Sequence, residues 1–285
     1  MILRTTGIRP KQTSWLSATV TFFLIIAATY CNAFGQEKRL EFPPNKPTPI
    51  INGPPLRGLD ASLYMLASAE YKACCIQAFR WGALVAKEKL DAKKDFTRTA
   101  AAIIDLDETV LDNGWFQSQQ LRDQVDFDAR RWEDWEQNGA SKVRLVPGAK
   151  KFVDRIVELG IVPVFITNRN NSAREQTKSI LNRFGFQITD AQLLCADKTT
   201  GSNKTSRREA VLSQYEVLIY VGDNLRDFDE RFRYDANGGE EARGKTVDEL
   251  SEKFGIEWII LPNPSYGEWT KPFTNTSADV NLLYK

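Results

Sequence analysis

The chain has 285 residues, 42% of them apolar and 26% charged, an ordinary globular composition that excludes intrinsic disorder, a collagen-like repeat and a disulfide-stapled miniprotein. Its formal net charge is +1, and it contains no histidine. That absence rules out a Ser-His-Asp or Cys-His nucleophile, histidine phosphotransfer and any His-containing zinc site, so acid–base work falls to carboxylates, lysine, tyrosine or cysteine.

Arg4, Arg9 and Lys11 precede an apolar run from Trp15 through Ala28, and residues 1–33 contain no acid. This is the pattern of a secretory signal, with Cys31-Asn32-Ala33 offering a cleavage site after Ala33. The run is short for a membrane span of about 20 residues, so cleavage is expected, with no stable span left afterwards. Tyr30 is bulky just before Cys31, which argues against a lipid anchor there. The expected location is therefore periplasmic, outer-envelope or extracellular. Cleavage leaves 35 basic against 37 acidic side chains, a net charge of −2. Such a balance gives no support to a nucleic-acid polymer as partner or to a polybasic membrane patch. Cys74, Cys75 and Cys195 remain, and the adjacent pair falls in a helical pattern that points its side chains to different faces. All three read as buried small hydrophobes.

Residues 34–58 hold six prolines and read as an extended linker. From Leu59 to about Lys94 the apolar residues recur at helical spacing, as one long helix or two broken near Gly82. Strands then alternate with helices. Ala100–Leu106, Val162–Thr167, Gln192–Ala196, Val217–Val221 and Trp258–Leu261 read as buried strands. Between them, Ala149–Leu159, Ala173–Phe184, Ser206–Gln214 and Val247–Phe254 read as helices. Ser172 with Glu175 and Thr246 with Glu249 have the capping-box spacing that marks helix starts, and Gly160, Gly185 and Gly255 follow as stops. The pattern predicts an α/β domain over residues 59–285, a doubly wound parallel sheet covered on both faces. Residues 111–146 interrupt the alternation and predict an inserted, mostly helical cap, to which residues 59–98 are assigned as well.

In a doubly wound sheet, ligands gather beyond the carboxyl ends of the strands. Asp105 and Asp107 follow the first strand and Thr167 ends the second. Asp223 and Asp227 follow the fourth, and Lys204 lies in the loop before the helix leading to it. Two carboxylates so placed can flank one reacting centre, one attacking phosphorus and the other handling the proton, help worth roughly 10²–10⁴ in rate. Asp223 and Asp227 supply hard oxygens for Mg²⁺, and Thr167 and Lys204 can hold phosphoryl oxygens. Arg169 can touch phosphate or pair with a neighbouring acid.

These motifs resemble the haloacid dehalogenase superfamily. More closely, AIIDLDETVLDN, TNR, NKTSRR and VGDNLRDF resemble the class C acid phosphatases, and SAEYKACCIQAF and LPNPSYGEWT fit the same family. The resemblance spans about residues 60–270. It implies that Asp105 is the nucleophile and Asp107 the acid–base. Mg²⁺ would be bound by the Asp105 carboxylate, the Asp107 backbone carbonyl and Asp223, with Asp227 nearby, and phosphate by Thr167 and Lys204. By the same resemblance Trp132 and Tyr266 match positions that sandwich a nucleobase, a contact worth about 1–3 kcal/mol per base. A homodimer is compatible with it too, although no apolar stripe points to one. The sequence departs from the family in its poor lipidation site and in Gly114-Trp115-Phe116 after Asn113.

The expectation is an exported, Mg²⁺-dependent phosphomonoesterase acting on small phosphate monoesters, including 5′-nucleotides, with best activity below neutral pH. Phosphotransfer to an alcohol acceptor, and a non-catalytic exported binding protein of the same fold, are the alternatives.

Overall fold

The computed structural model describes residues 58–93, 95–199, 201–234 and 238–272. The expected signal segment 1–33, and the expected linker 34–58 except for its last residue, lie outside the described residues.

Five apolar segments form the sheet: β1 (Ala100–Ile104), β4 (Val162–Asn170), β5 (Leu193–Ala196), β6 (Glu216–Gly222) and β7 (Trp258–Ile260). Their order is β5-β4-β1-β6-β7 and every pairing is parallel. All five residues of β1 are buried, as a central strand covered on both faces requires. Alternate residues serve opposite faces. Ala100, Ala102 and Ile104 join the large core with Phe79 and Phe152, while Ala101 and Ile103 pack with Val164, Ile166 and Val211. From β1 the chain winds out to β4 and β5, then returns to β6 and β7 on the other side, which opens a crevice at the carboxyl ends of β1, β4 and β6.

The sheet is covered by helices from between the strands. On the large-core face, α2 (Ala69–Ala92) packs against α5 (Ala149–Glu158), β6 and β7, with the Phe79 and Phe152 rings 5.1 Å apart; α6 (Arg174–Arg183) adds Ile180 and Leu181 to the same core. Val211 of α7 (Thr205–Gln214) covers the opposite face, and α8 (Gly239–Glu249) lies beside a third cluster of Phe228, Phe232 and Trp258. The long α2 is thus a covering helix of the sheet. The helix before it, α1 (Leu59–Ala67), instead reaches the cap, where it meets α3 (Gly114–Asp123).

The break between α1 and α2 falls at Ser68, whose side chain accepts a hydrogen bond from the Tyr71 amide at 3.0 Å and starts α2. Gly82 lies inside α2 instead of breaking it. A Cβ there would stand 3.2 Å from Ile259 Cγ1, so the missing side chain lets the helix approach β7. Two expected helix starts also move. Ser172 sits in a single 3-10 turn and donates its amide to the Asn170 side chain at 2.9 Å, and α6 begins at Arg174. Thr246 lies in the last turn of α8, where its hydroxyl donates to the Ala242 carbonyl at 2.9 Å. The expected stops at Gly160 and Gly185 follow α5 and α6 with φ 76° and 77°, the left-handed conformation that glycine enters at no steric cost; Gly255, with φ 78°, stops no α-helix, since α8 ends at Glu249 and a 3-10 turn over Ser251–Lys253 lies between.

The insertion after β1 is a two-stranded antiparallel hairpin, β2 (Leu111–Asp112) with β3 (Arg144–Leu145), carrying α3 and α4 (Ala129–Asn138) between its strands. Among the described residues, no helix is long and apolar enough to cross a membrane. Cys75 and Cys195 are buried, Cys74 is exposed, and all three are free thiols. The expectation of burial therefore fails at Cys74.

Candidate active site

The turn after β1 places the first two carboxylates. The Asp105 amide still donates to the Val221 carbonyl at 2.9 Å, so Asp105 ends the strand in register with β6. The chain then closes on itself, with the Val110 and Leu111 amides both donating to the Leu106 carbonyl. Glu108 takes φ 57°, a conformation costly for a side chain with a Cβ. Its buried carboxylate holds the turn by accepting from the Asn113 amide at 2.9 Å, and burial, then the nearby Asp107, push that carboxyl well above the usual range. Asp105 and Asp107 consequently leave the strand in different directions and enter two separate networks.

The first network surrounds Asp105. Lys204 reaches over from the start of α7, and its ammonium donates to Asp105 Oδ1 and, at 2.7 Å, to Asp227 Oδ1. Asp223 receives the Thr109 hydroxyl at 3.0 Å and the Asn263 side-chain amide at 2.8 Å. Asp227 is fixed by the Asn224 amide at 2.9 Å. Oxygens of Asp105, Asp223 and Asp227 all lie within 4.8 Å of one another. Three carboxylates against one ammonium leave two negative charges uncompensated in this cluster. The electrostatics record the same excess. Burial raises Asp105 well above the usual carboxylate range, with Lys204 opposing and Asp227 and Asp223 adding to the rise. Burial and then Asp227 push Asp223 up to about 7. Burial alone would lower the Lys204 ammonium, but Asp105 and Asp227 outweigh it and hold it above its ordinary value. A hard all-oxygen donor set with this charge deficit fits a divalent cation. The Asp107 side chain is not one of the converging carboxylates.

Asp107 belongs to the second network. Arg169 donates through Nε to Asp107 Oδ1 at 2.9 Å, and its Nη2 stands 2.8 Å from the same oxygen as an ion pair. The Asn113 side-chain amide adds a bond at 2.9 Å to the same oxygen, and the Thr167 hydroxyl donates to Oδ2 at 3.2 Å. Arg169 is fully buried, and its Nη2 also donates to Asn113 Oδ1 at 3.0 Å. The Trp135 indole N–H donates to the same Asn113 oxygen at 2.9 Å. Thr167 and Lys204, both read from the sequence as phosphate ligands, thus serve one network each, Thr167 holding Asp107 and Lys204 holding Asp105 and Asp227.

Trp132, on α4, lies with its ring centroid 5.8 Å from the Arg169 guanidinium and edge-on to Phe116. Its indole N–H donates at 2.8 Å to Glu136, which also accepts from the Asn170 amide at 3.1 Å. Tyr266 follows β7 in a loop fixed by Asn263, whose side-chain oxygen accepts from the Tyr266 amide at 3.3 Å. Both aromatic residues are partly buried; Arg169 links Trp132 to Asp107, and Asn263 links the Tyr266 amide to Asp223. The two rings do not stack on each other.

Reading the sequence left out Asn113, Glu136 and Asn263, and left Arg169 between a phosphate contact and the acid pairing it makes with Asp107. Arg169 had a signal, since it stands two residues after Thr167 on an extended strand and therefore projects to the same side. Asn113 and Asn263 fall within motifs that carried the resemblance but have no chemistry of their own to mark them. Glu136 looks like any surface acid of an exposed helix until α4 folds onto β4.

A parallel sheet with a carboxylate turn after its first strand, a threonine in its second, which runs three residues beyond Thr167 to Asn170, and a paired-carboxylate loop after its fourth is the fold of a haloacid dehalogenase superfamily hydrolase. The model of the acid phosphatase family, subfamily IIIB of that superfamily, matches residues 60–269, and the chain belongs to this family. Two solved structures of the class C acid phosphatase from Bacillus anthracis are similar to it. One, with tungstate bound, shares 29% identity at a TM-score of 0.68, covering 79% of this chain and 93% of that one. The other shares 30% identity at a TM-score of 0.67, covering 79% and 94%. The protein is a phosphomonoesterase with a site for a divalent metal.

Proposed function

We propose that the chain is an exported, Mg²⁺-dependent acid phosphatase that hydrolyses small phosphate monoesters, 5′-nucleotides among them, through an aspartyl-phosphate on Asp105. The observation that carries this reading is the division of labour at the sheet edge. Asp105 faces a lysine and two further carboxylates, while Asp107, two residues on, is held apart by Arg169, Asn113 and Thr167.

An Asp105 oxygen bonds to phosphorus as the ester P–O bond breaks, and Asp107 passes a proton to the departing alkoxide. Asp107 then takes a proton from water, whose oxygen attacks phosphorus and breaks the Asp105–phosphate bond, releasing inorganic phosphate. Thr167 and Lys204 turn from the carboxylates toward the phosphoryl oxygens, where their donors oppose the charge of the transition state. When bound, Mg²⁺ on Asp105, the Asp107 carbonyl, Asp223 and Asp227 supplies charge that offsets repulsion between the phosphate dianion and the carboxylate nucleophile. The tungstate of the Bacillus anthracis structure, a tetrahedral oxyanion of phosphate's shape, is in keeping with such a site. Trp132 and Tyr266 offer two partly buried aromatic surfaces for a nucleobase, and residues 1–33 supply the export signal.

The test is release of inorganic phosphate from p-nitrophenyl phosphate and from a 5′-nucleotide, with Mg²⁺ and with chelator, between pH 4 and 9. Mg²⁺-dependent release, strongest below neutral pH and abolished in Asp105→Asn, is expected. Activity surviving in Asp105→Asn would sink the covalent route. A nucleotide preference unaltered in Trp132→Ala and Tyr266→Ala would remove the aromatic sandwich. Mass spectrometry of the protein recovered from the cell envelope should find Phe34 as the first residue.

A further inference from the structure

Lys204 opens α7, and the next turn of that helix carries two consecutive arginines, Arg207 and Arg208, both buried. Consecutive residues on a helix point about 100° apart, so these side chains leave α7 toward different loops. The Arg207 guanidinium donates through Nη1 to the Thr167 carbonyl. Through Nη2 it donates to the Asn168 side chain at 2.9 Å and to the carbonyls of Asn203 at 2.9 Å and Gly201 at 3.3 Å. It therefore ties the last residues of β4, from Thr167 on, to the loop that ends in Lys204. Arg208 turns the other way. Its Nη1 donates to the carbonyls of Arg226 at 3.0 Å and Asp227 at 3.3 Å, and Nη2 returns to the Thr205 hydroxyl at 3.2 Å. Neither side chain is bonded to Asp105, Asp107 or Asp223. Burial holds both guanidinium groups below their ordinary values, a cost that peptide-carbonyl acceptors offset only where the loops stand in one arrangement.

We propose that Arg207 and Arg208 are positioning residues with separate charges: Arg207 sets the spacing of the two phosphate ligands, Thr167 and Lys204, and Arg208 sets Asp227 for the metal. The inference rests on the roles given to those residues under the proposed function. It assigns work to two arginines that touch no reacting atom, and it makes the first turn of α7 the point from which the phosphate site and the metal site are aligned on each other. The acceptors are backbone carbonyls and two uncharged side chains, Asn168 and Thr205, so the effect passes through backbone position and not through charge on a ligand.

Calorimetric titration of the purified chain with Mg²⁺, and with inorganic phosphate at saturating Mg²⁺, separates the two roles without measuring turnover. Arg207→Gln is expected to weaken phosphate binding about tenfold, the loss of roughly one net hydrogen bond to each loop, and to leave Mg²⁺ affinity within threefold of the parent. Arg208→Gln is expected to weaken Mg²⁺ on the order of 10–100-fold, as loss of an outer-shell partner does, and to leave phosphate affinity at saturating Mg²⁺ within threefold. Should either glutamine variant fail to fold, Arg207→Lys and Arg208→Lys are read the same way, since an ammonium can serve only part of each acceptor set. Both variants weakening both ligands alike, or neither variant weakening either, overturns the assignment. If the parent chain binds neither Mg²⁺ nor phosphate, the proposed function falls and the assignment falls with it. A parent that binds both, with unselective variants, refutes the arginine roles alone.

Discussion

Among the described residues Arg169 is the largest fully buried side chain, and its charge is matched by Asp107 on the edge of the crevice. Removing the cation while leaving the carboxylate breaks a buried ion pair, which costs about 3–5 kcal/mol because the remaining charge has lost its counterpart. Arg169→Met should therefore show a loss of that size in urea unfolding; a loss under about 1 kcal/mol would mean that water compensates Asp107. Glu136 gives a second test through pH. Burial pushes its carboxyl from the ordinary 4.5 up to about 7. Below pH 4.5 both the folded and the unfolded chain hold the proton and its contribution is fully present. As pH rises toward 7 the unfolded chain releases the proton first, so that contribution is lost. Glu136→Gln keeps an oxygen that can accept from Trp132 and Asn170 but cannot ionise. The variant's melting temperature should gain on the parent's from pH 4.5 to 7 and run parallel above it; parallel curves throughout would place the Glu136 titration elsewhere.

At the scale of elements, the cap's first helix is set by a glycine. A Cβ on Gly114 would stand 2.3 Å from Leu66 Cδ2 and 2.8 Å from Asp112 Oδ1, so α1 and α3 touch only because that atom is missing. Gly114→Ala should destabilise by about 1–3 kcal/mol, the usual range for overpacking. Leu66→Ala in the same chain should recover part of it, a coupling that a double-mutant cycle measures; strictly additive losses would show that Leu66 simply moves aside. The elements themselves were legible where burial imposes a period. All five sheet strands appear within a few residues of where their apolar runs place them, because a strand covered on both faces has no polar position to hide it. The failures have the opposite cause. Helix α8 starts at Gly239, well before the expected Val247, and buries only Arg243, so its first turns carry no apolar pattern to read. The capping-box spacings at Ser172 and Thr246 were real as spacings, but Asn170 and the preceding helical turn already supplied what they offered.

For the whole molecule the decisive quantity is charge at the carboxyl edge of the sheet. Asp105, Asp107, Thr167, Lys204, Asp223 and Asp227 could all be read from the sequence because each follows, or leads into, an apolar strand of a parallel sheet. What could not be read was their grouping into one cluster around Lys204 and another around Arg169, which depends on a turn that sends Asp105 and Asp107 apart. The clusters make a prediction about stability. Asp105 and Asp223 are both raised, so the metal must displace protons to bind. Mg²⁺ should therefore raise the melting temperature more at pH 8 than at pH 5. At a hundred times its dissociation constant it adds about 2.7 kcal/mol, and chelator should reverse the gain. A shift of equal size at both pH values would show that the cation binds away from these carboxylates.

The hairpin that carries the cap closes after two residue pairs, Leu111 with Leu145 and Asp112 with Arg144, so the excursion between them leaves and re-enters the domain at neighbouring points. The register of β1 on β4 and β6 is set by pairings outside that excursion, while from within it Asn113 bonds Asp107 and Arg169, Trp135 bonds Asn113, and Glu136 accepts from the Asn170 amide. A chain that keeps those contacts can vary the rest of the excursion without moving the strand ends that carry Asp105 and Asp107. Change can thus accumulate in one continuous stretch of chain while the strand ends that flank it keep their places.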